Sequence, residues 1–291
     1  GGPVGARGRL EDGMRNPTAP DIRALEAIAR KVRAQVVSMS HEAGVPHLGS
    51  SLSCVDILVA LYWGALAVDP AKPKDPERDR AILSKGHAAT TLYTVLAHRG
   101  FFPGSELSRF NQDGGPMQEH PGPGCMPGVE VATGSLGHGL SLGLGMALSG
   151  KVRGRDFRTY VVMSDGELNE GSVWEAAQFA PAKGLDRVMA IVDFNKWQAT
   201  GRSREVLALD PLREKWEAFG WKAVEVDGHD MGALTALMRG LPEGGGKPVA
   251  VIAHTVKGRG VSFMEDDNNW HYRIPTSDEV LAAHRELGVA A

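Results

Sequence analysis

The hydrophobic positions of this 291-residue chain fall into short apolar runs separated by stretches with helical periodicity. Five of the runs are rich in β-branched residues and have the length of a buried strand. They cover residues 80–84, 160–163, 188–192, 221–226 and 248–253. Strands that alternate with helices predict an α/β fold, with a doubly wound, mostly parallel sheet and helices on both of its faces.

Helical periodicity and glycine placement refine this picture. A helix is predicted to begin at Asp21, because apolar residues recur after it at helical spacing, and to end at Gly44. Farther along, glycines are expected to permit close packing. Those predicted to let the backbone approach a ligand are Gly134, Gly137 and Gly139, and those predicted to lie on a tightly packed helix are Gly143 and Gly145.

Polar residues follow two neighbouring apolar runs at the point where each run ends. Asp165 follows the run at 160–163, Asn195 follows the run at 188–192, and a helical pattern lies between them. Such a βαβ unit has parallel strands, whose carboxyl ends share one edge of the sheet. Ligands of open parallel sheets bind beyond that edge, so both side chains are expected to face one crevice.

A carboxylate and an amide oxygen suit Mg²⁺ or Ca²⁺ better than zinc. Mg²⁺ is usually completed by water and phosphate oxygens, so two protein side chains imply a phosphorylated partner. A backbone carbonyl just after Asn195 is a candidate third protein ligand. Either residue alone is equally explained as part of a turn after a strand. The metal interpretation depends on Asp165 and Asn195 occurring together at matched strand ends.

Four of the ten histidines fall in loops that a parallel topology gathers at the same edge. His47 precedes a predicted helix, His87 follows the first strand, His120 lies in a long Gly- and Pro-rich loop, and His271 lies near the end of the chain. Singly, each is readily explained as a structural or solvated residue. Together they favour a site that needs neutral donors or proton carriers near pH 7.

Composition narrows the class of protein. Apolar residues make up 42% and charged residues 23% of the chain, as in globular proteins. A net charge of −3 argues against nucleic-acid binding, and no apolar run is long enough for a membrane span. Cys54 and Cys125 lack metal-like spacing, so a reduced, cytoplasmic protein is expected. Residues 1–19 are predicted to be a disordered lead and 20–291 a single domain.

Several sequence segments are specific for one protein family when they are considered together. They are PHLGSSLSCVDIL, LSKGHAA, GVEVATGSLGHGLSLGLGMAL, SDGELNEGSVWEAAQFA, IVDFNKWQATG, TVKGRGVSFMED and WH at 270–271. These segments resemble the N-terminal half of transketolases, and most closely the diphosphate-binding (PP) subunit of split, two-chain transketolases. The family's thiamin diphosphate motif opens with Gly-Asp-Gly and closes on an asparagine. Ser164 replaces the first glycine here, whereas Asp165, Gly166 and Asn195 remain.

The resemblance implies thiamin diphosphate and Mg²⁺ (or Ca²⁺) as cofactors. It implies transfer of a two-carbon ketol unit from a ketose phosphate to an aldose phosphate. By resemblance, Asp165 and Asn195 ligate the metal through their side chains, and Trp197 ligates it through its carbonyl. The cofactor-binding set that the resemblance implies is His87, Gly134, Leu136, Asp165, Gly166, Glu170, Asn195 and His271.

Catalytic roles follow from the same resemblance. His87 and His271 match histidines near the diphosphate and the reacting carbon, and His47 and His120 match those that bind donor hydroxyls and move protons. Glu170 matches an acid at a dimer interface that links two active sites. From its position alone, Glu170 is also explained as an acid favoured by the dipole at a helix N-terminus.

Two departures from the family bear on the substrate. The family often has glycine after the last active-site histidine, where this chain has Tyr272, which is expected to narrow the substrate channel. The loop around His120 reads EHPGPG, close to the usual pattern but not identical to it. Both departures put the identity of the substrate in question and leave the expected cofactor unchanged.

A larger departure concerns the assembly. In the family, an acid on a pyrimidine-binding domain keeps the aminopyrimidine in its reactive tautomer, and most residues that grip the sugar phosphate also lie there. That domain normally follows this one, but the sequence stops at Ala291. We therefore expect the chain to be inactive alone and to need a C-terminal, pyrimidine-binding subunit, in an α₂β₂ assembly acting on sugar phosphates.

Three alternatives remain open at this point. Another thiamin diphosphate enzyme, similar to 1-deoxyxylulose-phosphate synthase or to a dehydrogenase component, would share the architecture, although the histidine set and the GSLGHG segment favour a transketolase. A non-catalytic partner of a full-length homologue is disfavoured, because the chain retains Asp165, Asn195 and the four histidines. A nucleotide-binding module is disfavoured because a P-loop and a dinucleotide fingerprint are both missing.

Overall fold

Five strands form one sheet in the computed structural model, which describes residues 20–240 and 246–290. The lead predicted for residues 1–19 lies outside the described residues. The strands are Arg80–Leu83 (β1), Thr159–Ser164 (β2), Val188–Phe194 (β3), Lys222–Asp227 (β4) and Val249–His254 (β5). Each strand overlaps one predicted run, so the strand prediction is confirmed with small shifts at the ends.

Helices precede, connect and follow the strands. They are Ile22–Ala43 (α1), Leu48–Ser53 (α2), Val55–Val59 (α3), Ala89–Arg99 (α4), Gly139–Arg153 (α5), Gly171–Ala182 (α6), Ser203–Val206 (α7), Leu212–Ala218 (α8), Met231–Gly240 (α9) and Ser277–Leu287 (α10). A π-helical turn at Ala60–Ala65 continues α3, and 3₁₀ turns lie at Gly86–Ala88, Gly104–Arg109, Gly166–Asn169 and Asn268–His271. Among the described residues, no helix is both long and apolar enough to cross a bilayer.

The first helix has the predicted caps. The Asp21 carboxylate accepts a hydrogen bond from the Arg23 backbone N–H at 3.0 Å, which satisfies one of the free donors at the helix start. Gly44 ends the helix with a φ of 63°, a left-handed conformation that glycine adopts without strain. Local sequence signals therefore define both ends of α1.

The sheet has the strand order β1-β2-β3-β5-β4, and every neighbouring pair is parallel. The predicted parallel sheet is thus confirmed. Parallel pairing brings the carboxyl ends of all five strands to one edge. There Ser164 of β2 pairs with Asp193 of β3, and Phe194 of β3 pairs with His254 of β5.

Alternate strand side chains lie in two cores, one on each face of the sheet. Val162 and Ile191 pack in a core with residues of α1 and α4, whereas Val161 and Ala190 pack in a second core with residues of α5 and α6. Because the strands are buried on both faces, they appear in the sequence as continuous apolar runs rather than as alternating patterns. This three-layer arrangement is the predicted doubly wound fold.

Of the two glycines predicted to lie on a tightly packed helix, only Gly143 packs tightly. A Cβ at Gly143 would lie 2.6 Å from a Val161 methyl, so α5 packs tightly against β2 there, as expected. Gly145 is exposed, and a Cβ there would meet nothing within 4 Å among the described residues, so its predicted tight packing is wrong. Two residues correspond to about 200° on a helix, which places the two glycines on opposite faces.

The glycines that precede and begin α5 lie against side chains of the protein. A Cβ would lie 2.7 Å from His120 at Gly134 and 2.5 Å from Ser172 at Gly137, and at Gly139 it would overlap Ser84. These glycines therefore allow close packing within the protein, and their predicted approach to a ligand stays a prediction.

We predict opposite effects on stability when alanine replaces Gly143 and Gly145 of α5. Gly143→Ala should lower the free energy of unfolding by about 1–3 kcal/mol, because the added methyl group overpacks the contact with Val161. Gly145→Ala is the matched control and should raise it by up to about 1 kcal/mol, through helix propensity alone. Urea denaturation of both variants measures the difference. Equal effects would contradict the packing described here.

Candidate active site

The ends of β2 and β3 meet at a buried carboxylate. Asp165 is fully buried and accepts hydrogen bonds from the backbone N–H groups of Gly166 at 3.0 Å and Lys196 at 2.9 Å. The Ser203 hydroxyl donates a third at 2.7 Å. Because Lys196 directly follows Asn195, these bonds hold the two strand ends together. The predicted juxtaposition of Asp165 and Asn195 is therefore present.

The chemistry of this carboxylate suits a divalent cation. Burial raises the pKa of Asp165 to about 6, and the hydrogen bond from Ser203 offsets only part of that shift. Within the described residues, no three His, Cys, Asp or Glu side chains are grouped so that they could hold a metal ion. A cation here would therefore be held by one carboxylate, by amide and backbone oxygens and by its own ligand, which is a donor set that fits Mg²⁺ or Ca²⁺.

Two residues at the site have unusual backbone conformations. His47 and Lys196 both have a φ of 70°, a left-handed conformation that is uncommon for residues other than glycine. At Lys196 the turned backbone directs its N–H to Asp165, and at His47 the N–H donates to the His271 carbonyl at 2.8 Å. Strain of this kind is concentrated at functional sites in proteins.

A cleft of about 390 Å³ opens above these strand ends. The site residues predicted from the sequence that line it are His47, His87, His120, Gly134, Leu136, Gly166, Glu170, Asn195, Trp197 and His271. Asp165 lies beneath this lining rather than in it. The structure thus gathers the predicted residues in one place, while their individual roles stay predictions.

The four histidines form one cluster centred on His47. Its ring centroid lies 5.3 Å from that of His87, 5.0 Å from that of His271 and 6.2 Å from that of His120. Its Nδ1 lies 3.1 Å from a Glu119 carboxylate oxygen. A carboxylate can only accept, so Nδ1 of neutral His47 carries the proton and its Nε2 is an acceptor.

Three histidines of the cluster are neutral near pH 7. Burial, followed by the positive charge of Lys85, holds the pKa of His87 well below its ordinary value. Burial, followed by the charge of Lys257, lowers the pKa of His271 to about 3. Burial also lowers the pKa of His47. A neutral imidazole can both accept and donate a proton, which suits a site that handles hydroxyl groups.

Lys257 determines which nitrogen of His271 carries a proton. Its Nζ lies 3.1 Å from Nδ1 of His271 and 2.7 Å from Oδ1 of Asn268. Burial lowers the pKa of Lys257 to about 8, so its ammonium form still predominates at pH 7. An ammonium group only donates, so Nδ1 of His271 accepts and Nε2 bears the hydrogen.

Several buried charged residues were missed by the sequence analysis. Lys85 and Asp193 are both fully buried and form an ion pair at 2.5 Å. The buried Glu167 accepts from the Gly137 backbone N–H at 2.9 Å and from the Ser84 hydroxyl. Their positions in the sequence were the one signal that could have identified them, because each of these charged residues ends or closely follows an apolar strand.

Two buried polar atoms indicate that the cleft suits a polar ligand. Oδ1 of Asn169 and Nε2 of Gln198 are buried, and neither has a hydrogen-bond partner among the described residues. Both residues line the cleft, and Gln198 packs over Gly166, where a Cβ would lie 3.3 Å from its Cγ. Unpaired buried polar atoms are rare and call for an explanation. A phosphate oxygen of a ligand can accept from Nε2 of Gln198, whereas Oδ1 of Asn169 needs an N–H or O–H donor.

Comparisons with known proteins show the family to which the chain is similar. The family model "Transketolase, thiamine diphosphate binding domain" matches residues 24–291. The chain is 40% identical over 266 residues to one of the subunits of the apulose-4-phosphate transketolase of Phocaeicola vulgatus, over 91% of this chain and 94% of that protein. It is 38% identical over 263 residues to the 6-deoxy-6-sulfo-D-fructose transketolase subunit SqwG of a Clostridium species, over 90% of this chain and 96% of that protein.

A solved structure extends the similarity to the fold. The transketolase of Campylobacter jejuni superposes with a TM-score of 0.87 at 27% identity, over 93% of this chain and 43% of that one. The chain therefore spans less than half of that larger transketolase.

The pKa of His271 predicts a pH dependence of stability. In the unfolded chain its pKa is about 6.5, whereas the fold lowers it to about 3. Below about pH 6.5 the unfolded state therefore binds a proton that the folded state does not, and this residue lowers stability as the pH falls. Above about pH 6.5 it contributes no pH dependence.

His271→Asn removes this titration and retains an acceptor for Lys257. Its free energy of unfolding should fall less steeply from about pH 6.5 to 4.5, by up to about 1.4 kcal/mol per pH unit for one proton. Urea denaturation at a series of pH values compares the variant with the unmodified chain. Identical slopes would show that His271 titrates normally in the fold.

Proposed function

The chain belongs to the family of the transketolase thiamine diphosphate binding domain, and from this membership we propose that it is the diphosphate-binding subunit of a two-chain transketolase. The reaction is transfer of a two-carbon ketol unit from a ketose phosphate donor to an aldose phosphate acceptor. The observation that carries the proposal is the cleft above Asp165 and Asn195, with neutral histidines around it. Thiamin diphosphate supplies, when bound, the electron sink for carbon–carbon bond cleavage.

Asp165 and Asn195 hold Mg²⁺, or Ca²⁺ in its place, and the Trp197 carbonyl is the third protein ligand. The buried Asp165 carboxylate supports this assignment, because burial disfavours its charge and a bound cation would restore it. Gly166 and Gln198 would hold the diphosphate, because the buried Nε2 of Gln198 has no partner among the described residues and is a donor suited to a phosphate oxygen. His87 lies near the same end of the cofactor.

The walls of the cleft orient the cofactor. Gly134 and Leu136 line the cleft, where they would contact the central region of the cofactor. Glu170 is exposed at the N-terminus of α6 and its side chain makes no capping hydrogen bond. An exposed carboxylate without a capping hydrogen bond fits the proposed role of Glu170 at an interface between active sites.

The histidines move protons to and from the hydroxyls of the substrate. His47 accepts through Nε2, because its Nδ1–H is directed to Glu119. His271 donates through Nε2–H, because Lys257 occupies its Nδ1. His120 is exposed at the cleft and binds the donor with His47. General acid–base assistance of this kind contributes about 10²–10⁴-fold to a rate.

The substrates are sugars that carry a terminal anionic group. The two relatives that are themselves subunits are named for apulose-4-phosphate and 6-deoxy-6-sulfo-D-fructose, which supports a phosphate or sulfonate at one end of the substrate. Tyr272 is 64% exposed, and its ring centroid lies 4.7 Å from that of His271. We place this phenol ring at the mouth of the substrate channel, which it narrows.

The partner is a pyrimidine-binding subunit, in an α₂β₂ assembly with the cofactor between the two kinds of chain. Support comes from the relatives named as subunits, which this chain matches over nearly their full length. We place the assembly in the cytoplasm, since both cysteines are free thiols.

Reconstitution tests this function. The chain is mixed with thiamin diphosphate, Mg²⁺, hydroxypyruvate and a set of aldose phosphates, with and without a candidate pyrimidine-binding subunit. Ketol transfer is expected only when both subunits are present. Turnover by the chain alone would refute the need for a partner. Cofactor binding by the complex without transfer to any acceptor would refute the reaction.

Asp165→Asn tests the proposed metal ligand. Asp113→Asn is the matched control, because Asp113 is exposed. Removal of one partner of a buried charge pair costs about 3–5 kcal/mol. The affinity of the complex for thiamin diphosphate with Mg²⁺ should therefore fall at least about 100-fold in Asp165→Asn and stay unchanged in Asp113→Asn. Tryptophan-fluorescence titration measures both.

A further inference from the structure

The side-chain amide of Asn195 can serve a metal ion in only one of its two orientations. Its oxygen is a possible ligand, whereas its NH₂ group is a donor that repels a cation. Asn195 is 2% exposed, so its surroundings rather than water decide which end faces the cleft. The groups that contact the amide therefore control the proposed metal site, and the following inference rests on the proposed function.

Ser53, the last residue of α2, fixes one side of the amide. Its Oγ lies 2.6 Å from Oδ2 of Asp193, 3.0 Å from the Ser50 carbonyl and 3.3 Å from the Asn195 amide. The carboxylate and the carbonyl only accept, so the single Ser53 proton is directed to them. Toward Asn195 the hydroxyl can only accept, and the atom it meets must be the NH₂ nitrogen.

The buried Asp193 carboxylate keeps the Ser53 hydroxyl proton directed away from Asn195. Asp193 is fully buried and its Oδ2 accepts from Lys85 Nζ at 2.5 Å, while Thr255 donates to its other oxygen. Lys85 Nζ also donates to the Ser50 carbonyl at 2.8 Å. Because Oδ2 of Asp193 accepts from the Lys85 ammonium group, the Ser53 hydroxyl meets it as a donor, and the buried ion pair holds that oxygen in place.

The opposite side of the amide agrees with this orientation. The Trp197 backbone N–H donates at 3.0 Å to the other amide atom of Asn195, which must be the oxygen. An oxygen of this kind has two lone pairs, so one remains for a cation. Two independent contacts thus require the same orientation.

We propose that Ser53, held by the buried Asp193–Lys85 pair, is a positioning residue that turns the carboxamide oxygen of Asn195 toward the metal ion. It acts through Asn195 and does not touch the cation itself. Because α2 begins directly after His47, one short helix connects the histidine cluster to the metal site. The assignment gives a function to Lys85, Asp193 and Ser53, which no cleft contact explains.

Ser53→Ala removes the acceptor and leaves the NH₂ group of Asn195 buried without it. Groups that orient a metal ligand typically change metal affinity 10–100-fold. The dissociation constant of the reconstituted two-subunit complex for Mn²⁺, measured by electron paramagnetic resonance with thiamin diphosphate present, should rise at least about tenfold. Ser40→Ala is the control, because Ser40 is equally buried but donates to the Val45 carbonyl at 2.7 Å, in another part of the fold. It should leave the affinity unchanged.

Asn195→Asp distinguishes an effect of Ser53 on the orientation of the Asn195 amide from a general effect on packing. A carboxylate presents an oxygen in either orientation, so Ser53→Ala should change Mn²⁺ affinity less than about twofold in that background. Thermal unfolding verifies that each variant is folded. An equal loss in both backgrounds, or no loss beside native Asn195, would overturn the positioning role. Absence of Mn²⁺ binding by the reconstituted complex of the unmodified chain and its pyrimidine-binding subunit would instead overturn the proposed function on which the inference rests.

Discussion

The parallel register between β2 and β3 is the constraint on which the candidate site depends. Pairing of Ser164 with Asp193 sets the two strand ends level, so that the backbone N–H after Asn195 reaches the Asp165 carboxylate. A shift of one residue would turn the side chains of a strand to the opposite face. Because both faces are packed with helices, the apolar residues of the strands hold this register and thereby hold the polar residues at its end.

Around this edge the fold buries several charged and polar side chains. The Lys85–Asp193 pair, Glu167 and Asp165 all lie out of water beneath the cleft, and each is met by hydrogen bonds from neighbouring elements. The same burial lowers the pKa values of His87 and His271 above them, which keeps these two histidines neutral. Exclusion of water from the buried polar residues beneath the cleft lowers the local dielectric, and this strengthens the electrostatic interactions of any ligand that binds there.

Sequence patterns were sufficient for the fold and for much of the site. Continuous apolar runs located the strands, and the βαβ rule placed Asp165 beside Asn195. The same patterns did not find Lys85, Asp193 or Glu167, because their partners are distant in sequence and a charged residue after a strand usually lies in water. They also could not show that Gly145 lies on the open face of α5, since the direction of a helix face depends on tertiary packing.

Anomalous diffraction from crystals grown with thiamin diphosphate and Mn²⁺ tests the central claim most directly. A single manganese peak is predicted within coordination distance, about 2.1 Å, of oxygens from both Asp165 and Asn195, with the diphosphate beside Gly166. A cofactor bound in the cleft with its metal elsewhere, or a manganese peak that one of these two side chains does not reach, would contradict a cation site at the joined ends of β2 and β3.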